Sequence, residues 1–211
     1  MTYIVVFGDS ITYGAWDPQG GWVARLRRWL EERDPHEHIV YNCGVSGDGT
    51  TELLERFEVE ARARFLEPTA DGSPKMLIIA IGDNDSGWFR DEGRHVTPPE
   101  QFRANVQRLI EMARRQTSKV VFIGTTPVDD AKTDPLPWAA NRVHKNEYTV
   151  KYDKIAKDVC DKNGIPFVEI YNTWLKADYR NLLEDGVHPN AAGHQRLFEA
   201  VRDALLKNKL L

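Results

Sequence analysis

Five short apolar runs, each separated from the next by a stretch of helical period, constrain this chain more than any other feature. The runs are YIVVF (3–7), HIVYN (38–42), MLIIAI (76–81), KVVFIG (119–124) and PFVEI (166–170). Each is short for a helix and rich in strand-forming residues, and several are apolar on both faces. Residues 21–33, 50–66, 99–116 and 145–163 carry helical spacing, and a last helix is read at about 190–208. In GWVARLRRWLEE, for example, Trp22, Leu26, Trp29 and Leu30 fall on one side and the arginines largely on the other.

Strands buried on both faces and joined through helices imply a mostly parallel sheet covered on both sides. Right-handed crossovers then predict an α/β fold of three layers, α/β/α, around a five-stranded sheet. A chain of 211 residues is long enough for one well-buried core and short for two, so residues 1–211 are read as a single domain. In such sheets the ligand crevice lies outside the carboxyl ends of the strands, which makes the loops there the place to look for chemistry.

Charge and composition exclude several classes. A net charge of −4 argues against an extended nucleic-acid footprint, and the basic clusters RLRR (25–28) and ARR (113–115) fall on helical stretches as solvated faces. Cys43 and Cys160 are the only cysteines, too few for a disulfide framework. The N-terminal apolar run lacks a basic flank and reads as a strand rather than a leader. No stretch approaches the roughly 18–20 apolar residues of a membrane span, so the expectation is a soluble cytoplasmic protein without membrane insertion.

Four separated segments bring chemistry to the predicted crevice. Gly8-Asp9-Ser10 follows the first strand, NCGVSGDGT (42–50) the second and Gly82-Asp83-Asn84-Asp85 the third, while Asp185-Gly186-Val187-His188-Pro189 precedes the last helix. A serine hydroxyl becomes a useful nucleophile when an adjacent base takes its proton, and histidine titrates in the right range. Asp185, three residues before His188 across a glycine, can hold the imidazole in the tautomer that accepts the Ser10 proton. Pro189 suits the first position of the helix that follows. A glycine N–H from the second block, the Asn84 side chain and the Ser10 N–H supply three donors for an oxyanion.

The blocks GDSIT, VSGDGT, GDND and DGVHP, in this order from residue 8 to 189, resemble those of the SGNH hydrolases, the GDSL lipase and esterase superfamily. The resemblance implies a flavodoxin-like fold, Ser10 as nucleophile, His188 as base, Asp185 as its orienting acid, and Gly47 with Asn84 completing the oxyanion hole. Gly44 and Gly49 lie nearby, but Gly47 alone stands between Ser46 and Asp48 as the family's glycine does. The expected activity is cleavage of a small-molecule acyl ester, with a short acyl or acetyl group preferred and with no cofactor or metal. Competing readings are a flavodoxin-like binding module with a phosphate after the first strand, and a catalytically silent relative that binds a ligand.

Other candidates are weaker. His36-Glu37-His38 precedes a strand and reads as an exposed loop; Asp83 to Gly87 begins like a calcium loop but has Trp88 where its sharp-turn glycine belongs. Ser46 is followed by Gly47 and Asp48, which does not make a G-x-S-x-G elbow. Cys43 and Cys160 read as buried structural thiols and His194 as a surface or partly packed residue. Trp16, Trp88, Phe89 and Trp138, in presumed loops after strand ends, are expected to line a partly apolar substrate pocket.

Overall fold

The computed structural model describes residues 1–65 and 74–211. Its strands are β1 (Thr2–Gly8), β2 (His38–Gly44), β3 (Lys75–Ala80), β4 (Trp88–Phe89), β5 (Arg94–His95), β6 (Lys119–Ile123), β7 (Arg142–Val143) and β8 (Phe167–Val168). Its helices are α1 (Ser10–Tyr13), α2 (Gly21–Arg33), α3 (Thr50–Arg64), α4 (Asp83–Ser86), α5 (Pro99–Gln116), α6 (Asn146–Asn163), α7 (Tyr171–Leu175) and α8 (Ala191–Lys207). A five-stranded sheet runs in the order β2-β1-β3-β6-β8, with every pairing parallel. Counted along the chain, these strands have the flavodoxin-like order 2-1-3-4-5.

Alternation along the strands sorts the core into two layers. Val5, Phe7, Leu77, Ile79 and Phe122 face one side, where Leu53 and Phe57 of α3, Phe102 and Val106 of α5, and Tyr152 of α6 cover them. Ile4, Val6, Met76, Ile78 and Val121 face the other side, against Trp22, Leu26 and Leu30 of α2 and Leu197 and Val201 of α8. Because both faces are buried, the strands read as continuous apolar runs rather than as alternating ones. The sheet turns from β1 toward β2 on one side and β3 on the other, so the crevice opens between the carboxyl ends of β1 and β3. No helix among the described residues is long and apolar enough to cross a membrane.

The structure departs from the sequence reading in a few places. The fifth strand is two residues, Phe167–Val168, rather than 166–170, because Ile170 already adopts helical backbone angles at the start of α7. The third helix ends at Arg64, and Leu66, read as its last residue, lies outside the described residues. The stretches 82–98 and 125–144, which lie outside the apolar and helical runs of the sequence, contain α4 and a small antiparallel sheet in the order β5-β4-β7. Two-residue strands carry no detectable periodicity. Pro189 does not open the last helix: the Asn190 side chain accepts from the amides of Ala192 and Gly193, which makes Asn190 the cap and Ala191 the first helical residue.

Gly8 closes β1 where the backbone of β3 and the Thr12 side chain crowd it. A Cβ there would sit well inside contact distance of the Ala80 carbonyl and of Thr12 Oγ1. Gly8→Ala is therefore expected to destabilise the fold by about 1–3 kcal/mol, read as a lower urea midpoint at unchanged slope. An unchanged midpoint would mean that β1 and β3 can separate at no cost.

Candidate active site

At the end of β1 the chain turns directly into α1. Asp9 caps that helix, its Oδ1 accepting from the Ile11 amide at 2.9 Å, and Ser10 is the first helical residue. The Asp9 side chain stays beneath the surface, and its Oδ2 finds no partner among the described residues. Burial raises its pKa to about 6, against the pull of the Ile11 amide and of His188. A carboxylate in this loop occupies the position that an anion cradle would leave for phosphate.

Ser10 Oγ lies 2.9 Å from Nε2 of His188, across 178 residues of sequence. The other ring nitrogen, Nδ1, lies 2.7 Å from Asp185 Oδ2. The turn that brings acid and imidazole together has Gly186 at φ +97°, where a Cβ would also press on Lys132. Asp185 Oδ1 accepts from the Val187 and His188 amides, each at 2.9 Å, so the carboxylate is fixed by its own turn. Burial pushes its pKa up, but the His188 side chain and the two amides outweigh that and bring it from 3.8 to about 2.

Trp16 adds a contact that the sequence did not suggest. Its indole Nε1 is 2.6 Å from Asp185 Oδ2 and 3.2 Å from His188 Nδ1. An indole N–H only donates, and Nδ1 carries its own proton toward the carboxylate, so the hydrogen bond goes to Asp185. The indole is 60% exposed although its backbone sits at φ +63°, an unusual conformation for so large a residue. A loop held this way at the cleft edge is where functional strain tends to collect.

On the opposite side of Ser10 stand the loops after β2 and β3. Gly47 has φ +90° and open space where a Cβ would project. Among the described residues the amides of Ser10 and Gly47 donate to nothing. Asn84 Nδ2 donates to the Asp48 carbonyl at 3.0 Å, which uses one of its two N–H groups. Asp48 is held in turn by Arg56 Nε at 2.7 Å, while the same guanidinium donates to the carbonyls of Cys43 and Gly8. Arg56 therefore ties the ends of β1 and β2 to the loop carrying Gly47. Asp85 is fully buried and accepts from the Thr50 amide and hydroxyl, which joins the third block to the start of α3.

Part of this set borders one cleft of about 1140 Å³, with Asp185 behind His188 rather than in its lining. Ser10, Gly47, Asn84 and His188 line it together with Trp16 and Trp138. Trp88 and Phe89 do not: Trp88 stacks on Tyr148 at 5.7 Å and meets His95 edge-on, and Phe89 lies under the guanidinium groups of Arg94 and Arg142. Both belong to β4, which pairs with β7. His194 is fully buried rather than on the surface or partly packed, with Nε2 3.3 Å from the Ala15 carbonyl. Cys43 and Cys160 are buried and unpaired, and burial pushes each thiol up to about 12. Arg56 and Arg142 carry no sequence signature of the contacts they make here. Arg56 falls inside the helical stretch 50–66 with nothing to single it out, and Arg142 lies in a stretch without pattern.

A hydroxyl bonded to an imidazole that is itself held by a carboxylate, beside free amide donors, can carry out acyl transfer. Known proteins point the same way. The sequence pattern of the GDSL-like lipase/acylhydrolase family matches residues 6–196. The uncharacterized lipoprotein YqeF of Bacillus subtilis is 24% identical over 95% of this chain and 88% of its own length. Esterase TesA of Pseudomonas aeruginosa is 25% identical over 94% of this chain and 85% of its own. The acetylxylan esterase Axe2 of Geobacillus stearothermophilus shares the fold at a TM-score of 0.72, with 23% identity over 96% of this chain and 93% of that one.

Proposed function

The chain belongs to the GDSL-like lipase/acylhydrolase family and is a carboxylic ester hydrolase, and from that premise we propose that Ser10, His188 and Asp185 carry the reaction through an acyl-enzyme. The observation that carries this reading is the unbroken chain from Ser10 Oγ to His188 Nε2 and from His188 Nδ1 to Asp185 Oδ2, at 2.9 and 2.7 Å. His188 takes the Ser10 proton as Oγ attacks the ester carbonyl, and returns it to the leaving alcohol. Water then attacks the acyl-enzyme with the same groups acting in the same roles. Asp185 remains ionised throughout and stabilises the imidazolium.

The negative charge that develops on the carbonyl oxygen falls to the Ser10 and Gly47 amides and to the second N–H of Asn84. Those donors are held before substrate arrives, so no reorganisation is needed at the moment of attack. Asn84→Ala is expected to lower kcat by about 10²–10³ with a smaller change in KM. Near-wild-type kcat on a good ester would remove Asn84 from the hole.

The substrate we propose is a small ester with a short acyl or acetyl group. Axe2 is an acetylxylan esterase, and the exposed Trp16 and Trp138 offer flat apolar surfaces beside His188 for a leaving group. Initial rates on p-nitrophenyl esters from acetate to decanoate test this, and an optimum at eight or ten carbons would overturn the short-acyl reading. All of the groups involved come from residues 1–211 acting as one domain, without a cofactor. The reading gives no role to nucleic acid or to insertion in a membrane.

A further inference from the structure

Arg142 is a cation with no carboxylate within salt-bridge distance among the described residues, yet it lines the cleft. Its Nη2 lies 3.0 Å from the Asn84 carbonyl oxygen and 3.3 Å from Asn84 Oδ1. β7 pairs with β4 so that Arg142 stands opposite Phe89, and its guanidinium lies 6.0 Å from that ring. The neighbouring His144 is kept neutral: burial and then the charges of Arg142 and His188 bring its pKa to about 3. The carboxylates of Asp85 and Glu52 act on the Arg142 charge only from beyond salt-bridge distance, and neither is bonded to the guanidinium.

We infer that Arg142 is a positioning residue of the oxyanion hole, acting through the Asn84 amide. The inference rests on the role of Asn84 proposed above. An asparagine side chain can present either end to the cleft, and here both neighbours select the same end. Arg142 donates to Oδ1, while the Asp48 carbonyl accepts from Nδ2. A flipped amide would set Oδ1 against the Asp48 carbonyl and Nδ2 against the guanidinium, losing both bonds to like-against-like contacts. The charge on Oδ1 also polarises the amide, which strengthens the N–H left for the developing oxyanion. The small β5-β4-β7 sheet thus has a job: it carries a cation from the 125–144 segment to the third block.

The test is a double-mutant cycle of Arg142→Met and Asn84→Ala on p-nitrophenyl acetate, with Arg142→Lys as the conservative variant and melting curves for each. Arg142→Met is expected to lower kcat about 10- to 50-fold at little change in KM, and Arg142→Lys to recover part of that loss with a single donor. In the Asn84→Ala background the same Arg142→Met change is expected to cost less than about threefold, because its target has gone. An equal loss in both backgrounds, a change confined to KM, or full kcat in Arg142→Met would each overturn the inference. Should Arg142→Met not fold, the cycle is run with Arg142→Lys, and full additivity there overturns it as well. Near-wild-type kcat in Asn84→Ala alone would instead count against the oxyanion assignment on which the inference rests.

Discussion

Ser10→Ala is expected to lower kcat on p-nitrophenyl acetate by about 10⁵-fold or more while leaving the melting temperature almost unchanged. The two halves of that expectation have separate causes. Ser10 is only 8% exposed, but its Oγ makes one hydrogen bond, to His188, and loses no packed methyl group on truncation. The backbone amides that border the cleft are untouched by the change, so the residual rate measures what Gly47, Asn84 and the Ser10 N–H contribute without a nucleophile. Labelling by a fluorophosphonate should disappear with the hydroxyl. Retained labelling or a loss of less than about tenfold would transfer the nucleophile to another residue, and Ser46, which also lines the cleft, would be the first to examine.

What the sequence disclosed follows from how each feature encodes itself. Val5, Phe7, Leu77 and Ile79 alternate with Ile4, Val6, Met76 and Ile78 between two covered faces, so strands and layers can be read from apolar runs alone. Ser10, Gly47, Asn84 and the Asp185–His188 turn stand at the ends of regular elements, where residue type is dictated by backbone geometry and chemistry together. Arg56 and Arg142 lack any such signature. Each acts through contacts made across long stretches of chain, 48 residues from Gly8 to Arg56 and 58 from Asn84 to Arg142. Trp88 and Phe89 show the converse. Their place after a strand end suggests a pocket wall, but on β4 they join an aromatic and cationic cluster outside the cleft lining.

The same logic separates Trp16 from Trp138. Both indoles are exposed and both approach His188, with ring centroids at 6.0 and 5.6 Å. Only Trp16 also donates to Asp185. Its backbone angle and its hydrogen bond therefore belong to the acid-imidazole pair as much as to the substrate cleft, and sequence could express only the second of these.

Asp185→Asn is expected to lower kcat by about 10³–10⁴ without removing any atom of Ser10, the proposed nucleophile, or of the proposed oxyanion donors. The wild-type carboxylate accepts from four donors: the Val187 and His188 amides on Oδ1, and His188 Nδ1 and Trp16 Nε1 on Oδ2. An asparagine has one oxygen for four donors. If that oxygen stays on the turn, its NH₂ faces Nδ1, which must then give up its proton; Nε2 becomes the protonated nitrogen and can no longer accept from Ser10 Oγ. If the oxygen faces His188 instead, the NH₂ confronts two backbone amides and the turn is strained. Either way the proton is on the wrong side of the ring or the ring is out of line. The sign of the pH effect follows from the lowered pKa. Asp185 contributes stability above 3.8, its ordinary value, and that contribution fades as pH falls toward about 2, so wild type and variant should converge in melting temperature only in strong acid. Equal kcat in the two proteins at neutral pH would mean that His188 is oriented by something other than Asp185, and Trp16→Phe would then be the variant that exposes it.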